Sequence, residues 1–167
     1  PSSAASDVYK RQLGIPFKDI QKQVASFQAV AGRCWMEKRN GVTIIDDTYN
    51  ANLTSTLAAL DYLFDIPLTG KRHFIFGDML ELGDASKNHH HQVGQAVSER
   101  GVDQFLCYGP ESAAAAEAAN EIKTAHFDDK SSLVQAVKDS VRKGDVALFK
   151  ASRGMTLESV IKEAFED

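Results

Sequence analysis

The 167-residue chain has two cysteines, no basic excess and no apolar run approaching the roughly 18 residues that a membrane-spanning helix needs. A spanning helix is therefore excluded. Nineteen Lys and Arg stand against twenty-three Asp and Glu, a net charge of −4. A protein gripping nucleic acid through bulk charge must displace counterions from phosphates, so that class is excluded too. Cys34 and Cys107 cannot build a disulfide framework. Each lies in an apolar stretch, and both are expected to be reduced core thiols of a cytoplasmic protein. The phosphate-loop pattern G-x-x-x-x-G-K-[ST] is missing, because Gly70-Lys71 lacks the upstream glycine and is followed by Arg72. No G-x-G-x-x-G follows a strand-like run, so a dinucleotide site of that type is unsupported. The composition, 43% hydrophobic and 25% charged, is that of a globular chain and excludes disorder. At roughly 150 residues per domain, the length suits one domain with a little to spare. Such a chain buries about 70% of its unfolded surface without a staple.

Residues 1–12 show no apolar periodicity and no basic-apolar-small succession, so they are not a signal peptide. They are expected to be a non-native or disordered leader outside the fold. Phe17, Ile20, Val24 and Phe27 then recur at 3, 4, 3, one face of a short helix entered at Pro16 and ended by Gly32. Next come two strand-like runs, Cys34–Glu37 and Val42–Ile45, with Asn40-Gly41 between them. Both turn residues tolerate positive φ, so the pair predicts a hairpin.

From Val42 onward the pattern alternates. Apolar runs at Val42–Ile45, His73–Phe76, Gln104–Tyr108 and Val146–Phe149, with a weaker one at Ala125–Phe127, are interleaved with helical repeats. Leu53, Leu57, Leu60 and Phe64 share one predicted helix face, as do Leu133, Val137 and Val141. The last helix carries Leu157, Val160, Ile161, Ala164 and Phe165. Near-continuous apolar strands between helices imply a parallel sheet covered on both faces. The predicted fold is α/β, a doubly wound, mostly parallel Rossmann-like sheet with an N-terminal β-hairpin and a short upstream helix.

Such a sheet keeps its ligand crevice at the carboxyl ends of its strands. Three polar loops fall there: residues 46–52, residues 77–83 and residues 150–154. They are expected to converge on one shared pocket. Asp46 and Asp47 are either turn formers or a carboxylate for a ribose hydroxyl or a metal. Asn50 and Asn52 are either Asx-turn residues or amides aimed at a ligand, and Thr54 or Ser55 is expected to cap the next helix. Ser152-Arg153-Gly154 before a helix suits an anion, Arg153 offering a forked donor. Lys150, at a strand end, either snorkels to the surface or reaches the crevice. His89-His90-His91 are about 100° apart on a helix and cannot converge on one metal ion.

Taken in order, Asp46-Asp47-Thr48-Tyr49-Asn50-Ala51-Asn52, Gly77-Asp78-Met79-Leu80-Glu81-Leu82-Gly83 and Ser152-Arg153-Gly154-Met155, with Gly32-Arg33 ahead of the hairpin, resemble the C-terminal domain of the Mur ligases of peptidoglycan synthesis. The similarity runs from about Leu13 to Phe165. It implies that residues 13–32 are the tail of a central ATPase domain and residues 33–167 the C-terminal domain. By the same resemblance Arg33 reaches the nucleotide, Asp47 contacts the ATP ribose, and Tyr49, Asn50 and Asn52 line the adenosine side. Ser152, Arg153 and Gly154 would receive the incoming amine, D-alanyl-D-alanine, with residues 77–83 as the neighbouring wall. His90 matches a histidine seen before the following helix, without assigned chemistry. Leu53 stands where proline is common and Ala151 where glycine is usual.

The implied reaction joins D-alanyl-D-alanine to UDP-N-acetylmuramoyl-tripeptide through an acyl phosphate, at the expense of ATP. The Mg2+ ligands, the phosphate loop and the catalytic groups are expected in the central domain, so this piece alone should be inactive. A rival from another class is a phosphoacceptor receiver domain, with Asp46, Asp47 and Asp78 as its acidic site and Lys150 pairing with the phosphoryl group.

Overall fold

Between Gly32 and Glu166, the span that the computed structural model describes, six strands and five α-helices alternate along the chain. The residue 1–12 leader and the Phe17–Phe27 helix lie outside these described residues. Strand β1, Trp35–Arg39, turns back through Asn40 and Gly41 into β2, Val42–Asp47, and the two pair antiparallel with Arg39 opposite Val42. Asn40 and Gly41 take φ of 51° and 78°, the left-handed pair that a two-residue hairpin turn requires.

Helix α1, Leu53–Asp65, leads to β3, Arg72–Gly77. Helix α2, Ser86–Arg100, leads to β4, Gln104–Tyr108, and α3, Ala113–Ala118, leads to β5, Thr124–Phe127. Helix α4, Lys130–Ser140, crosses back to β6, Val146–Lys150, and α5, Glu158–Phe165, follows. The strand order is β1-β2-β6-β3-β4-β5, and every pair except β1–β2 is parallel. The five predicted apolar runs are these five parallel strands.

Period two sorts the strand residues between two cores. Ile45, Phe74, Phe76, Phe105, Cys107 and Leu148 face α1, α2 and α3. Ile44, Ile75, Leu106, Ala147 and Phe149 face α4 and α5. Phe74 stacks on Phe105 at 5.3 Å between centroids. Each such fully buried side chain stabilises the fold by roughly 1.5–3 kcal/mol.

Two local expectations need correction. The buried stripe of α1 is Thr56, Ala59, Leu60 and Leu63, while Leu53, Leu57 and Phe64 pack only partly against the core. The helix is rotated from its apolar maximum, with polar Thr56 buried in the stripe and its hydroxyl against Met79 Sδ. Cys34 is exposed rather than in the core; it precedes an edge strand at φ 50°, whereas Cys107 is buried mid-sheet. The apolar neighbours Trp35 and Met36 that suggested a core position are themselves exposed on that edge.

Candidate functional site

Strand β6 lies between β2 and β3, so the chain reverses direction across the sheet there and three carboxyl ends adjoin. In register, Asp47 pairs with Lys150 and Lys150 with Phe76. Asp47 continues the column of Ile45, and Lys150 the column of Leu148, both on the α1 face. The apolar column thus ends in an acid and a base side by side. Lys150 Nζ lies 2.6 Å from Asp47 Oδ2 and also donates to the Asn50 carbonyl at 2.9 Å. Asp47 Oδ1 accepts from the Cys34 N–H at 3.1 Å. Each carboxylate oxygen accepts more than one hydrogen bond, so Asp47 retains acceptor capacity toward the cleft.

Asp46 differs from its neighbour. Its Oδ1 accepts from the Thr48 N–H and hydroxyl at 3.1 and 2.7 Å, so Asp46 is the turn former and Asp47 the carboxylate at the cleft. Tyr49 N–H donates to the Gly32 carbonyl at 2.8 Å, tying the β2 loop to the segment before β1. This brings the Arg33 guanidinium to 4.3 Å from the centroid of the exposed Tyr49 ring.

Asn50 Oδ1 accepts from the Ala51 N–H at 2.9 Å. Asn52, not Thr54 or Ser55, is the N-cap of α1. Its Oδ1 accepts from the Ser55 N–H at 2.8 Å, and Ser55 Oγ accepts from the Asn52 N–H at 3.1 Å. Both amide oxygens are therefore used locally, which leaves the donor capacity of the NH2 groups for a ligand in the cleft that both residues line.

Together Arg33, Asp47, Tyr49, Asn50 and Asn52 line one open cleft of about 500 Å³, closed on the helix side by Ser55, Ala58 and Ala59. Cys34 is also on its wall. Partial burial of that thiol, then the Asp47 carboxylate, push its pKa up, against the Lys150 charge. A second hollow of about 550 Å³ shares Asn52, Ser55 and Ala58 and extends to Leu82 and His89. The first turn of α1 is the ridge between the two hollows.

Of residues 150–154, Lys150 lines this cleft, and of residues 77–83, Leu82 lines the second hollow, while the rest of the two loops bond to each other beside them, so the expected single pocket is two adjoining features. Ser152 N–H donates to the Asp78 carbonyl at 3.0 Å, and Ser152 Oγ accepts from the Leu80 N–H at 2.9 Å. Ser152 is buried and its hydroxyl pins the β3 loop. A Cβ at Gly154 would meet the tip of the exposed Leu80 side chain at 2.8 Å, a contact that a shift of that side chain relieves. Arg153 projects outward, 64% exposed, with Nη1 3.1 Å from Glu158 Oε1.

Asp78 is 2% exposed, and its Oδ1 accepts from the Ser112 N–H at 2.7 Å. Burial pushes its carboxyl pKa up, opposed by the Ser112 and Glu111 N–H groups. Gly109, at φ 104°, has room for no side chain: a Cβ there would sit 2.6 Å from that carboxyl group. His90 lies inside α2 rather than before it. Its Nε2 accepts from the Met79 N–H at 3.0 Å, so the proton sits on Nδ1, 2.8 Å from the Ser86 carbonyl. His90 holds the β3 loop and faces inward, while His91 faces solvent. A receiver domain would need Asp78 open to a phosphoryl donor; enclosed and bonded to Ser112, it is not, and that reading is set aside.

A doubly wound α/β binding domain, with its polar cleft where the strand order reverses, is what the fold and site define. The chain belongs to the Mur ligase, glutamate ligase domain family, whose model matches residues 32–153. The UDP-N-acetylmuramoyl-tripeptide–D-alanyl-D-alanine ligase of Bacillus subtilis is 37% identical over 159 residues, 92% of this chain and 35% of that protein. A MurF ligase from Acinetobacter baumannii superposes with a TM-score of 0.85 at 30% identity, over 98% of this chain and 36% of its own. A MurF ligase from Thermotoga maritima solved in complex with ADP gives a TM-score of 0.79 at 32% identity, covering 96% and 36%. The chain thus spans about a third of the length of these relatives.

Proposed function

We propose that this chain is the C-terminal part of an ATP-dependent ligase that joins D-alanyl-D-alanine to UDP-N-acetylmuramoyl-tripeptide. Residues 33–167 form the C-terminal domain and residues 13–32 the tail of a central ATPase domain. The observation that carries this reading is the assembly of Arg33, Asp47, Tyr49, Asn50 and Asn52 around one cleft. Its support is the family match and the relatives' shared activity by name.

In this reading Asp47 accepts from the ribose hydroxyls of ATP, and the Arg33–Tyr49 stack and the outward amides of Asn50 and Asn52 hold the adenosine. Arg153 turns from Glu158 to the carboxylate of D-alanyl-D-alanine, while the Ser152–Gly154 backbone and the β3 loop shape the wall beside it. In the reaction, the tripeptide's terminal carboxylate takes the γ-phosphoryl group of ATP, releasing ADP. The dipeptide amine then attacks the acyl carbon, the amide forms, and phosphate and a proton leave. This domain contributes positioning by closing over a nucleotide held elsewhere. Mg2+ and the groups that hold it are assigned to the central domain. A cytoplasmic location accords with the nucleotide-linked substrate; among the described residues no helix is long and apolar enough to cross a membrane.

Steady-state kinetics on the full-length ligase carrying this chain test the assignment. Asp47→Ala raises the KM for ATP about tenfold or more, the loss of a charge-assisted hydrogen bond of about 1.5–3 kcal/mol. Arg153→Ala raises the KM for D-alanyl-D-alanine to a similar extent and leaves that for ATP near wild type. Unchanged constants in either variant would remove that residue from its role.

A further inference from the structure

Lys150 is 1% exposed, an unusual place for an ammonium group at the end of a strand. Its charge is met by Asp47 Oδ2 at 2.6 Å and by the Asn50 carbonyl at 2.9 Å. An ammonium has three N–H groups, so two are committed to the β2 loop. Lys150 lies in the floor of the cleft, and it cannot move out to a phosphate without abandoning both partners and leaving a buried carboxylate unpaired. These contacts suit a strut better than a ligand.

We infer that Lys150 is a positioning residue, clamping the Asp47 carboxylate and the Asn50 carbonyl in the arrangement that receives a nucleotide, and acting through Asp47 rather than by touching the nucleotide. This rests on the nucleotide reading of the cleft proposed above. With the Cys34 N–H on Oδ1 and Lys150 on Oδ2, Asp47 is held from both sides and presents its free lone pairs in one direction. The pairing also neutralises a carboxylate that would otherwise repel the phosphates of the nucleotide. Covalent connection extends the effect: Lys150 is two residues before Ser152, whose hydroxyl holds the β3 loop.

The test is ADP titration by calorimetry into the full-length ligase carrying this chain, as a double-mutant cycle. Lys150→Met weakens ADP binding about tenfold or more, and raises the KM for ATP while the KM for D-alanyl-D-alanine stays near wild type. In an Asp47→Asn background, the same lysine change weakens ADP binding less than about threefold, because its action runs through the missing carboxylate. If Lys150→Met alone does not fold, the comparison of Asp47→Asn with Asp47→Asn/Lys150→Met still decides, the fold of each being checked by circular dichroism, because the double variant carries no uncompensated buried charge and Asp47→Asn keeps the Lys150 bond to the Asn50 carbonyl. A tenfold loss in that comparison would show that Lys150 acts otherwise than through Asp47 and would overturn the inference. So would wild-type affinity in a folded Lys150→Met. Absence of ADP binding by the wild-type protein overturns the nucleotide reading itself, and this inference with it.

Discussion

Asp145, at the amino end of β6, is the counterpart of Asp47 at the far edge of the sheet, and its role is structural. Its carboxylate accepts from the Lys71 N–H at 2.8 Å, the Arg142 N–H at 2.8 Å and His73 Nε2 at 2.9 Å. Burial opposes the charged form, but the Lys71 and Arg142 N–H groups and His73 outweigh it, and the pKa is lowered. A carboxyl lowered on folding adds stability above its unfolded value of about 3.9, and that stability is lost as pH falls through the folded value. Asp145→Asn is expected to cost about 1–3 kcal/mol at pH 7, because an amide cannot accept all three bonds. It also flattens the fall in stability below about pH 4. Urea unfolding of both proteins at pH 7 and pH 3 measures this; an equal acid-induced loss in the variant would refute it. Nothing in the spacing around Asp145 announced its role, since Lys71 and His73 are more than seventy positions away.

At the scale of elements, the first turn of α1 has two tasks, ending a loop and bordering the cleft. Asn52 caps the helix through a reciprocal bond with Ser55, so Asn52→Ala should cost about 1 kcal/mol. Asn52→Ser keeps a good cap and removes only the outward NH2, so the stability survives while ADP affinity falls. Urea midpoints and ADP titrations on both variants separate the tasks; equal losses of affinity and stability in the serine variant would show that capping is its whole contribution. The strands were legible because their apolar runs are short, dense and bounded by glycine or polar turns. The α1 face was misplaced because Thr56, a polar residue that apolar periodicity skips, is buried against Met79 in the stripe. The helix caps were equally hidden: Asn52 and Ser55 are both plausible caps by type, and only the backbone at Asn52, φ −142° and ψ 167°, decides between them.

For the whole molecule, both faces of the sheet are covered by apolar helices within the described residues, which gives the chain a core of its own. The cleft is open, and in the proposed reading the rest of the nucleotide site comes from the central domain. The isolated chain is therefore expected to unfold cooperatively, to form no product and to bind ADP with a Kd of about a millimolar or weaker. Calorimetric titration checks this, and a micromolar constant would show that the cleft is a complete site. The order of apolar runs, the hairpin turn and the three polar loops determined the α/β class, because burial on both faces of a parallel strand leaves no freedom in composition. The tertiary structure decided which loop residues share an opening. Asp47 and Lys150 are 103 positions apart, and only strand register brings them together. Register also committed Ser152 and Asp78 inward, while Arg33 and Cys34 were carried to the cleft by the edge hairpin. Local sequence specifies which side chains are available; the sequence-distant pairing of β2, β6 and β3 specifies which of them meet, because that contact energy exists only after the chain has closed.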